Sequence, residues 1–227
     1  MLKGLLGIIF DVDGVIADTE AVNAEASIRM FSDCFGINGV TREDFDEGIG
    51  RGAAAYVQAA ARRHGRELTE AEIQTATRVR QDYFLAILRD RPLPPFPGVR
   101  ELVDSALARP DRFRLAIATS GARVKSMAVL RATRVPVERM AYVCGEDVTQ
   151  RKPHPELFLI AARRLSLPPR SCVVIEDAEN GIEAARAAEA KCIAVTHSFP
   201  AERLSGADLV VDSLEEVSLE TIETLLA

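Results

Sequence analysis

Long apolar runs, a surplus of basic residues and clustered cysteines are all missing from this sequence of 227 residues. No apolar stretch approaches the roughly 20 residues that a membrane-spanning helix requires, and the short apolar start of the chain does not resemble a signal peptide. The formal net charge of −6 argues against a general surface for nucleic acid or for an anionic membrane. We therefore expect neither nucleic acid nor a membrane among the partners.

The four cysteines form no CxxC pair, and no cluster of histidines accompanies them. Cys172 and Cys192 begin apolar runs that are typical of strands, so we interpret the cysteines as small buried thiols rather than metal ligands or redox centres. The histidines at positions 64, 154 and 197 have neither triad nor metal spacing, and we assign them surface or turn roles. These features predict a reducing, cytoplasmic location.

The rhythm of the sequence changes at about residue 98. From 20 to 91, apolar residues recur at helical spacing without a convincing period-2 strand, and a proline-rich linker follows at 92–98. Beyond the linker, strands alternate with helices, which is typical of βαβ units and a mostly parallel sheet. The candidate strands are 5–10, 114–118, 141–144, 172–175, 192–196 and 208–211, and the candidate helices are 99–108, 124–133, 155–165, 182–190 and 215–226.

The first strand therefore belongs with the C-terminal part of the chain. We predict an α/β fold with a Rossmann-like three-layer core made of residues 1–16 and 96–227 and a mostly parallel sheet. An all-helical domain at 17–95 is inserted into this core. Its two connections beside one strand end would form a natural hinge for a lid.

Two carboxylates, Asp11 and Asp13, follow the first apolar strand directly. Unpaired buried charges are unfavourable, so such a pair usually faces a metal ion, a cation or solvent. Gly14 allows a sharp turn after them. Taken alone, the pair could equally be a solvated junction between strand and loop, since short motifs have false positives.

Polar side chains follow other predicted strands as well. Thr119 and Ser120 follow strand 114–118, Glu176 and Asp177 follow strand 172–175, and Lys152 lies just before a predicted helix. Ligands of open α/β sheets bind at the carboxyl ends of the strands, where these residues would meet. The set suits Mg²⁺ and phosphate. Taken singly, each could instead be a structural turn, cap or solvated residue.

Four segments of the sequence resemble the four motifs of the haloacid dehalogenase superfamily, in order, and the helical insertion resembles its cap domain. The segments are Phe10-Asp11-Val12-Asp13-Gly14-Val15, Ala118-Thr119-Ser120, Lys152-Pro153 and Ile175-Glu176-Asp177. The segments 145–148 and 176–181 are similar to the branch that contains β-phosphoglucomutases and phosphoglycolate-type phosphatases. The resemblance covers nearly the whole chain.

The resemblance implies a catalytic role for four residues. Asp11 would be the nucleophile that forms an aspartyl-phosphate, and Asp13 would be the general acid and then the general base. Thr119 would hydrogen-bond the phosphoryl oxygens. Lys152 would offset the negative charge of Asp11 and of the phosphate.

The resemblance also implies Mg²⁺ as the cofactor. Its ligands would be Asp11, the backbone carbonyl of Asp13, and Asp177 together with Glu176. For Glu176, direct coordination and coordination through water both stay open.

Two further residues are candidates for substrate binding. Arg51 lies in a glycine-rich stretch that no strand precedes, so a dinucleotide fingerprint is not expected. By the resemblance, Arg51 would bind a distal anion of the substrate, with a solvated surface role as the alternative. Ser120 would donate a second hydroxyl or an amide to phosphate. Asn180 and Gly181 are expected to shape a turn.

Departures from the family pattern favour hydrolysis of phosphate esters. No lysine lies between Lys3 and Lys125, which excludes a phosphonatase-type Schiff base on the cap, and Asp13 disfavours dehalogenase chemistry. Asn23 stands where mutase-like relatives usually have histidine. Glu189 stands where glycine is usual.

The resemblance thus implies a Mg²⁺-dependent phosphohydrolase acting on a small phosphorylated metabolite, such as a sugar phosphate. A phosphosugar mutase and a degenerate metabolite-binding protein are the alternatives. We expect a monomer, with a weak dimer as the alternative.

Overall fold

The structure is a computed structural model that describes residues 4–48 and 53–227. Its strands are β1 Leu6–Phe10, β2 Phe113–Ala118, β3 Ala141–Val143, β4 Cys172–Glu176, β5 Lys191–Val195 and β6 Leu209–Val211. Its α-helices are α1 Thr19–Phe35, α2 Ala53–Arg63, α3 Glu70–Asp90, α4 Val99–Leu107, α5 Arg123–Ala132, α6 Glu156–Leu165, α7 Glu179–Ala187 and α8 Leu219–Leu225. No helix within the described ranges is long and apolar enough to cross a membrane.

The chain divides into two compact units. One comprises Met1–Asp18 and Leu93–Ala227, and the other is Thr19–Pro92. The first unit contains all six strands, and the second contains α1, α2 and α3. The predicted fold class, a Rossmann-like core with an inserted helical segment, is confirmed.

The six strands form one parallel sheet with the order β3-β2-β1-β4-β5-β6. The first strand of the chain is central, because β1 pairs with β2 on one side and with β4 on the other. All five residues of β1 and of β4 are buried, as expected for strands covered on both faces. The strand order reverses between β1 and β4, and open sheets bind ligands at such a switch point.

Two helices differ from their predicted positions by more than one residue at their start. The last helix was predicted from residue 215, but α8 begins at Leu219 because Ser218 caps it: the Ser218 hydroxyl accepts a hydrogen bond from the Thr221 amide at 3.1 Å. The preceding Leu214–Glu216 is a separate turn of 3₁₀ helix.

The other difference is in α7, which begins at Glu179 rather than at residue 182. Asn180 and Gly181 therefore lie in its first turn and do not form a loop. After the helix, Glu189 has a φ of 63°, a left-handed conformation that glycine adopts without strain. This conformation explains why glycine is usual at this position.

The helical unit has an aromatic core of its own. The rings of Phe45 and Tyr56 stack with centroids 4.6 Å apart, and Phe31 lies 6.0 Å from Phe45. Thr69 caps the start of α3 through a capping box that includes Glu72. A 3₁₀ helix at Arg42–Gly48 packs against α2.

Candidate active site

The site begins where β1 ends. Asp11 follows Phe10, and its amide donates to the Ile175 carbonyl of β4 at 3.0 Å, so the strand pairing extends to this residue. The Asp11 residue is buried, with 6% of its surface exposed. The parallel pairing thus fixes a carboxylate at the carboxyl end of the central strand.

Lys152 joins two of the predicted site residues. Its Nζ atom donates to Asp11 Oδ1 at 2.7 Å and to Glu176 Oε1 at 2.5 Å. The exposed fractions of the three side chains are only 7%, 8% and 2%, respectively. The ammonium group also lies 5.1 Å from the centroid of the Phe158 ring. Lys152 is therefore a buried cation between two strand ends, and the solvated alternative is wrong.

Burial and charge oppose each other at this ion pair. Burial raises the pKa of Asp11 to about 7, assisted by the negative charges of Glu176 and Asp13 and opposed by Lys152. Burial lowers the pKa of Lys152, but attraction to Asp11 and Glu176 outweighs burial and raises it above its usual value. The lysine therefore stays charged, and the negative charge around it is only partly compensated.

Glu176 is held in place on both oxygens. Oε1 accepts from Lys152, and Oε2 accepts from the amides of Asp177 at 2.9 Å and Ala178 at 3.2 Å. These amides precede α7, where a carboxylate also interacts favourably with the helix dipole. A Cβ atom on Gly181 would lie 2.0 Å from Glu176 Cδ, so glycine in the helix leaves the space for this carboxylate.

Asp177 is positioned by the loops that follow β1 and β5. Ser198 Oγ donates to Asp177 Oδ2. Gly14 has a φ of 76°, and a Cβ atom there would lie 1.9 Å from Asp177 Oδ2. His197 Nδ1 donates to the Gly14 carbonyl at 2.9 Å. Burial and the charges of Glu176 and Asp11 raise the pKa of Asp177 well above its usual value, against the Ser198 bond.

Sequence reasoning missed Ser198 and assigned His197 only to a surface or turn role. Both residues follow β5, so the rule of polar residues at strand ends could have found them. The His197 ring stacks on Phe96, with centroids 3.8 Å apart. His197 and Ser198 thus link the chain after β5 to the site.

Asp13 and Thr119 lie on the β2 side of the site. The ideal Cβ position of Gly121 is 3.3 Å from Thr119 Oγ1 and 3.6 Å from Asp13 Oδ2, which places both oxygens beside the same backbone. The Gly121 amide donates to Thr119 Oγ1 at 3.0 Å. Lys125 Nζ lies 3.4 Å from Asp13 Oδ1, a contact that sequence reasoning also missed.

The two predicted substrate-binding residues have different outcomes. Ser120 is half-buried next to Thr119, but its hydroxyl makes no hydrogen bond to any residue in the ranges that the structure covers. Arg51 lies outside the described residues.

The donor set suits a hard divalent cation. Asp11, Glu176 and Asp177 are three buried carboxylates, and Lys152 is the one cation that the described residues place in contact with them. Carboxylate oxygens, backbone carbonyls and water are the ligands that Mg²⁺ prefers. Among residues 4–48 and 53–227, no three His, Cys, Asp or Glu side chains could hold a metal ion by themselves. A metal ion here would therefore need backbone or solvent ligands as well.

Comparison with known proteins decides the family. The sequence model of the haloacid dehalogenase-like hydrolases matches residues 5–189. The chain belongs to this family. CbbY from Rhodobacter capsulatus is 30% identical over 97% of this chain and 99% of its own length. The β-phosphoglucomutase of Bacillus subtilis is 28% identical over 95% and 92% of the two chains.

Other relatives of this hydrolase include a phosphatase. A phosphorylated carbohydrates phosphatase from Thermotoga maritima is 30% identical over 85% of this chain and 86% of its own. The chain spans only a fifth of the chloroplastic SUPPRESSOR OF QUENCHING 1 protein of Arabidopsis thaliana, to which it is 31% identical. The family and these relatives support assigning the chain as a phosphatase of the branch that contains the β-phosphoglucomutases.

Solved structures of the family share the fold. CbbY from Rhodobacter sphaeroides in complex with xylulose-(1,5)bisphosphate superposes with a TM-score of 0.79 at 28% identity, covering 95% of this chain and 97% of that one. The same protein in complex with phosphate has a TM-score of 0.80 at 27% identity, covering 97% and 100%.

Proposed function

We propose that this chain is a Mg²⁺-dependent phosphohydrolase that acts on a small phosphorylated metabolite through an aspartyl-phosphate on Asp11. The observation that carries the proposal is the buried arrangement of Asp11 and Glu176 around Lys152 at the switch point of the sheet. A structural ion pair would need one carboxylate for one lysine. Here a third buried carboxylate, Asp177, adds charge that a cation and a phosphate ester would use.

In the first step, Asp11 attacks the phosphorus atom, and the bond between phosphorus and the leaving oxygen breaks. Asp13 gives a proton to the leaving oxygen, so the product leaves as an alcohol. In the second step, Asp13 takes a proton from water. The water oxygen attacks phosphorus, the bond to Asp11 breaks, and inorganic phosphate is released.

Three groups support these steps. Lys152 holds one oxygen of Asp11 and attracts the transferring phosphoryl group. Thr119 donates a hydrogen bond to a phosphoryl oxygen from beside Asp13, and Ser120 offers a second hydroxyl. Lys125 lies at Asp13 and keeps a positive charge near the proton-transfer group.

Asp11, the backbone carbonyl of Asp13 and Asp177 would hold Mg²⁺ together with Glu176, which would act either directly or through water. When bound, the ion neutralises charge on the phosphoryl oxygens and on the carboxylates. Ser198 orients Asp177 for this task, and Gly14 leaves the necessary space.

The relatives indicate the substrate class. Two of them are named for phosphorylated carbohydrates or phosphoglucose, and CbbY has been solved with a sugar bisphosphate. We propose a sugar phosphate or a molecule of similar size as the substrate, with Arg51 binding a distal anion. We also propose that Thr19–Pro92 acts as a cap, and that the protein works as a cytoplasmic monomer.

A mutase is the second candidate, because the Bacillus subtilis relative is a β-phosphoglucomutase. In a mutase, the released alcohol would be phosphorylated again before water reacts. Asn23, on α1, replaces the histidine that mutase-like relatives usually carry, and this difference favours hydrolysis. A degenerate binding protein is disfavoured because all four motifs are intact.

The test is a phosphate-release screen over sugar phosphates, phosphoglycolate and nucleotides, with Mg²⁺ and with EDTA. We expect release from at least one sugar phosphate with Mg²⁺ and none with EDTA. Asp11→Asn should lower release at least about a thousandfold because it removes the nucleophile. The exposed Asp111→Asn is the control and should keep full activity.

Two results would overturn parts of the proposal. Unchanged release by a purified Asp11→Asn sample would remove the reaction from this site. An isomerised product formed through a bisphosphate intermediate, without steady phosphate release, would identify a mutase.

A further inference from the structure

A cavity lies at the amino-terminal ends of β2 and β3, whereas the candidate active site lies at the carboxyl ends of the strands. Its volume is about 500 Å³, and its lining includes Arg114, Arg139 and Arg164. Arg114 is near the start of β2, whereas Thr119 follows the end of that strand. The four-residue rise from Arg114 to Ala118 spans about 13 Å, so this cavity, which we call the arginine groove, is separate from the candidate active site.

Three different segments supply the guanidinium groups. Arg114 Nη1 donates to the Leu165 carbonyl at 2.6 Å, and Arg139 Nη2 donates to the Leu107 carbonyl at 3.2 Å. These bonds fix the side chains at the groove and leave further N–H donors of each fork for a ligand. Arg164 instead pairs with Asp147 at 2.9 Å.

Two of these charges are not neutralised. Within residues 4–48 and 53–227, neither Arg114 nor Arg139 is within ion-pair distance of a carboxylate, and no acidic residue lines the groove. The groove is therefore positively charged, although the protein has a formal net charge of −6. Guanidinium groups bind phosphate and carboxylate groups as bidentate forks, so two arginines without ion pairs that line one groove suit an anionic ligand.

The remaining lining is mostly apolar. Leu107, Pro110 and Leu115 line the groove beside the arginines. A concave site of a few hundred Å³ that combines an apolar wall with a few polar groups is typical of small-molecule binding. Inorganic phosphate would use the guanidinium groups but not the apolar wall.

We propose that the arginine groove binds a small organic anion that carries two phosphate groups and an apolar ring, of the nucleoside diphosphate class. Each unpaired guanidinium binds one phosphate group as a bidentate fork, and the ring covers the apolar wall. The ligand is an effector or a second bound molecule, because the groove contains no nucleophile.

The test measures ADP binding by calorimetry in the full-length Asp11→Asn protein, so that the reaction cannot consume the probe. We expect binding with a Kd below about 1 mM that weakens as salt is added. Adding Arg114→Ala and Arg139→Ala together should weaken binding at least about a hundredfold, since each removes hydrogen bonds to a charged group.

A matched control removes the same charge elsewhere. Arg131 and Arg186 are also exposed, lie on α5 and α7, and do not line the groove. Arg131→Ala with Arg186→Ala should leave ADP binding within about twofold. Inorganic pyrophosphate, which lacks the ring, should bind more weakly than ADP.

Three outcomes would overturn the proposal. ADP could fail to bind, it could bind equally well to the Arg114→Ala, Arg139→Ala protein, or an excess of the phosphate ester substrate could displace it completely. The last result would place ADP in the catalytic site. None of these outcomes bears on phosphate release by the wild-type protein, so the proposed function is tested separately.

Discussion

The two units of the molecule differ in how deeply their most buried ion pairs lie. In Thr19–Pro92, ion pairs such as Arg62–Glu67 lie on the surface, with both side chains about two-thirds exposed. In the α/β unit, the ion pairs of Lys152 with Asp11 and Glu176 are almost fully buried. Every charged residue among the buried polar residues of the described ranges belongs to the α/β unit.

Exposed charges mainly interact with solvent, whereas buried charges of this kind often bind a ligand or take part in a reaction. Exposed pairs contribute little to the free energy of unfolding. Buried carboxylates that outnumber their cations are unfavourable for folding, so their presence indicates a ligand that completes them.

Replacing the buried cation should have the largest effect. Lys152→Ala strands Asp11 and Glu176, and we expect the free energy of unfolding to fall by about 3–5 kcal/mol, with phosphate release lost. Urea denaturation and a release assay measure the two effects. The control, Lys191→Ala, breaks a more exposed pair with Asp208 and should change the free energy by less than about 1 kcal/mol.

A double variant tests the same buried ion pair if Lys152→Ala does not fold. Adding Glu176→Gln to Lys152→Ala removes one stranded charge and should recover part of the stability. Equal losses for Lys152→Ala and Lys191→Ala would contradict the contrast between buried and exposed pairs.

A methyl group at Gly181 should displace the Glu176 side chain without altering the charge of the site. Helix propensity alone predicts that Gly181→Ala stabilises α7 by up to about 1 kcal/mol. The new Cβ would meet Glu176 Cδ at 2.0 Å, so we expect instead a loss of about 1–3 kcal/mol and a lower kcat. Gly206→Ala, where the nearest atom is 3.4 Å away, is the control. A stabilised and fully active Gly181→Ala would disprove the close fit.

Asp147 is a carboxylate whose charge two arginines compensate, so its pKa should shift in the opposite direction to that of Asp11. Asp147 accepts from Arg164 at 2.9 Å and Arg123 at 3.1 Å. Burial raises the pKa of Asp147, but the bonds from Arg164 and from the Cys144 amide outweigh it and lower the pKa to about 2. Its stabilising effect is therefore complete above the unfolded pKa of about 4 and is lost as pH falls toward 2.

We expect Asp147→Asn to lower the free energy of unfolding by about 1–2 kcal/mol at neutral pH. The difference from the wild type should shrink between pH 4 and pH 2, as measured by urea denaturation at each pH. The exposed Asp111→Asn should show no such trend. A difference that grows on acidification would reverse the sign and refute the assignment.

The smallest effect is expected in the helical unit. Arg62→Ala removes the exposed pair with Glu67, whose N···O distance is 2.8 Å. Because solvent and salt screen this pair, we expect the free energy of unfolding to change only within experimental error. A large loss in the same denaturation assay would show that exposure does not distinguish the two kinds of pair.

Much of the α/β fold was predictable because its signals are local. Strand β1 and strand β4 are short apolar runs that end in acids, and their bounds shift by only one residue from the prediction. Three separate family motifs contain Asp11, Lys152 and Glu176, and the structure places these side chains in contact. The start of α8 was wrong because Ser213 and Ser218 both offer a cap, and sequence patterns do not rank them.

The residues that position the acidic side chains of the site were not predictable in the same way. Ser198 and His197 resemble ordinary loop residues until the sheet order places β5 beside β4. Gly181 looked like a turn residue, whereas its function is to leave space for Glu176. Such roles depend on contacts between distant segments, which no periodicity records.

The central position of β1 has a consequence for synthesis on the ribosome. This strand is made before the other five strands of the sheet. The hydrogen bond between the Gly14 carbonyl beside it and His197 can form only after 183 further positions have been made. At usual translation rates this interval lasts roughly 10 to 40 seconds. Until β4 has been made, the apolar strand β1 lacks one of its two neighbours, so the nascent chain passes through a stage that favours chaperone binding. The position of β1 that places Asp11 at the centre of the sheet thus also delays completion of the sheet until the later strands have been made.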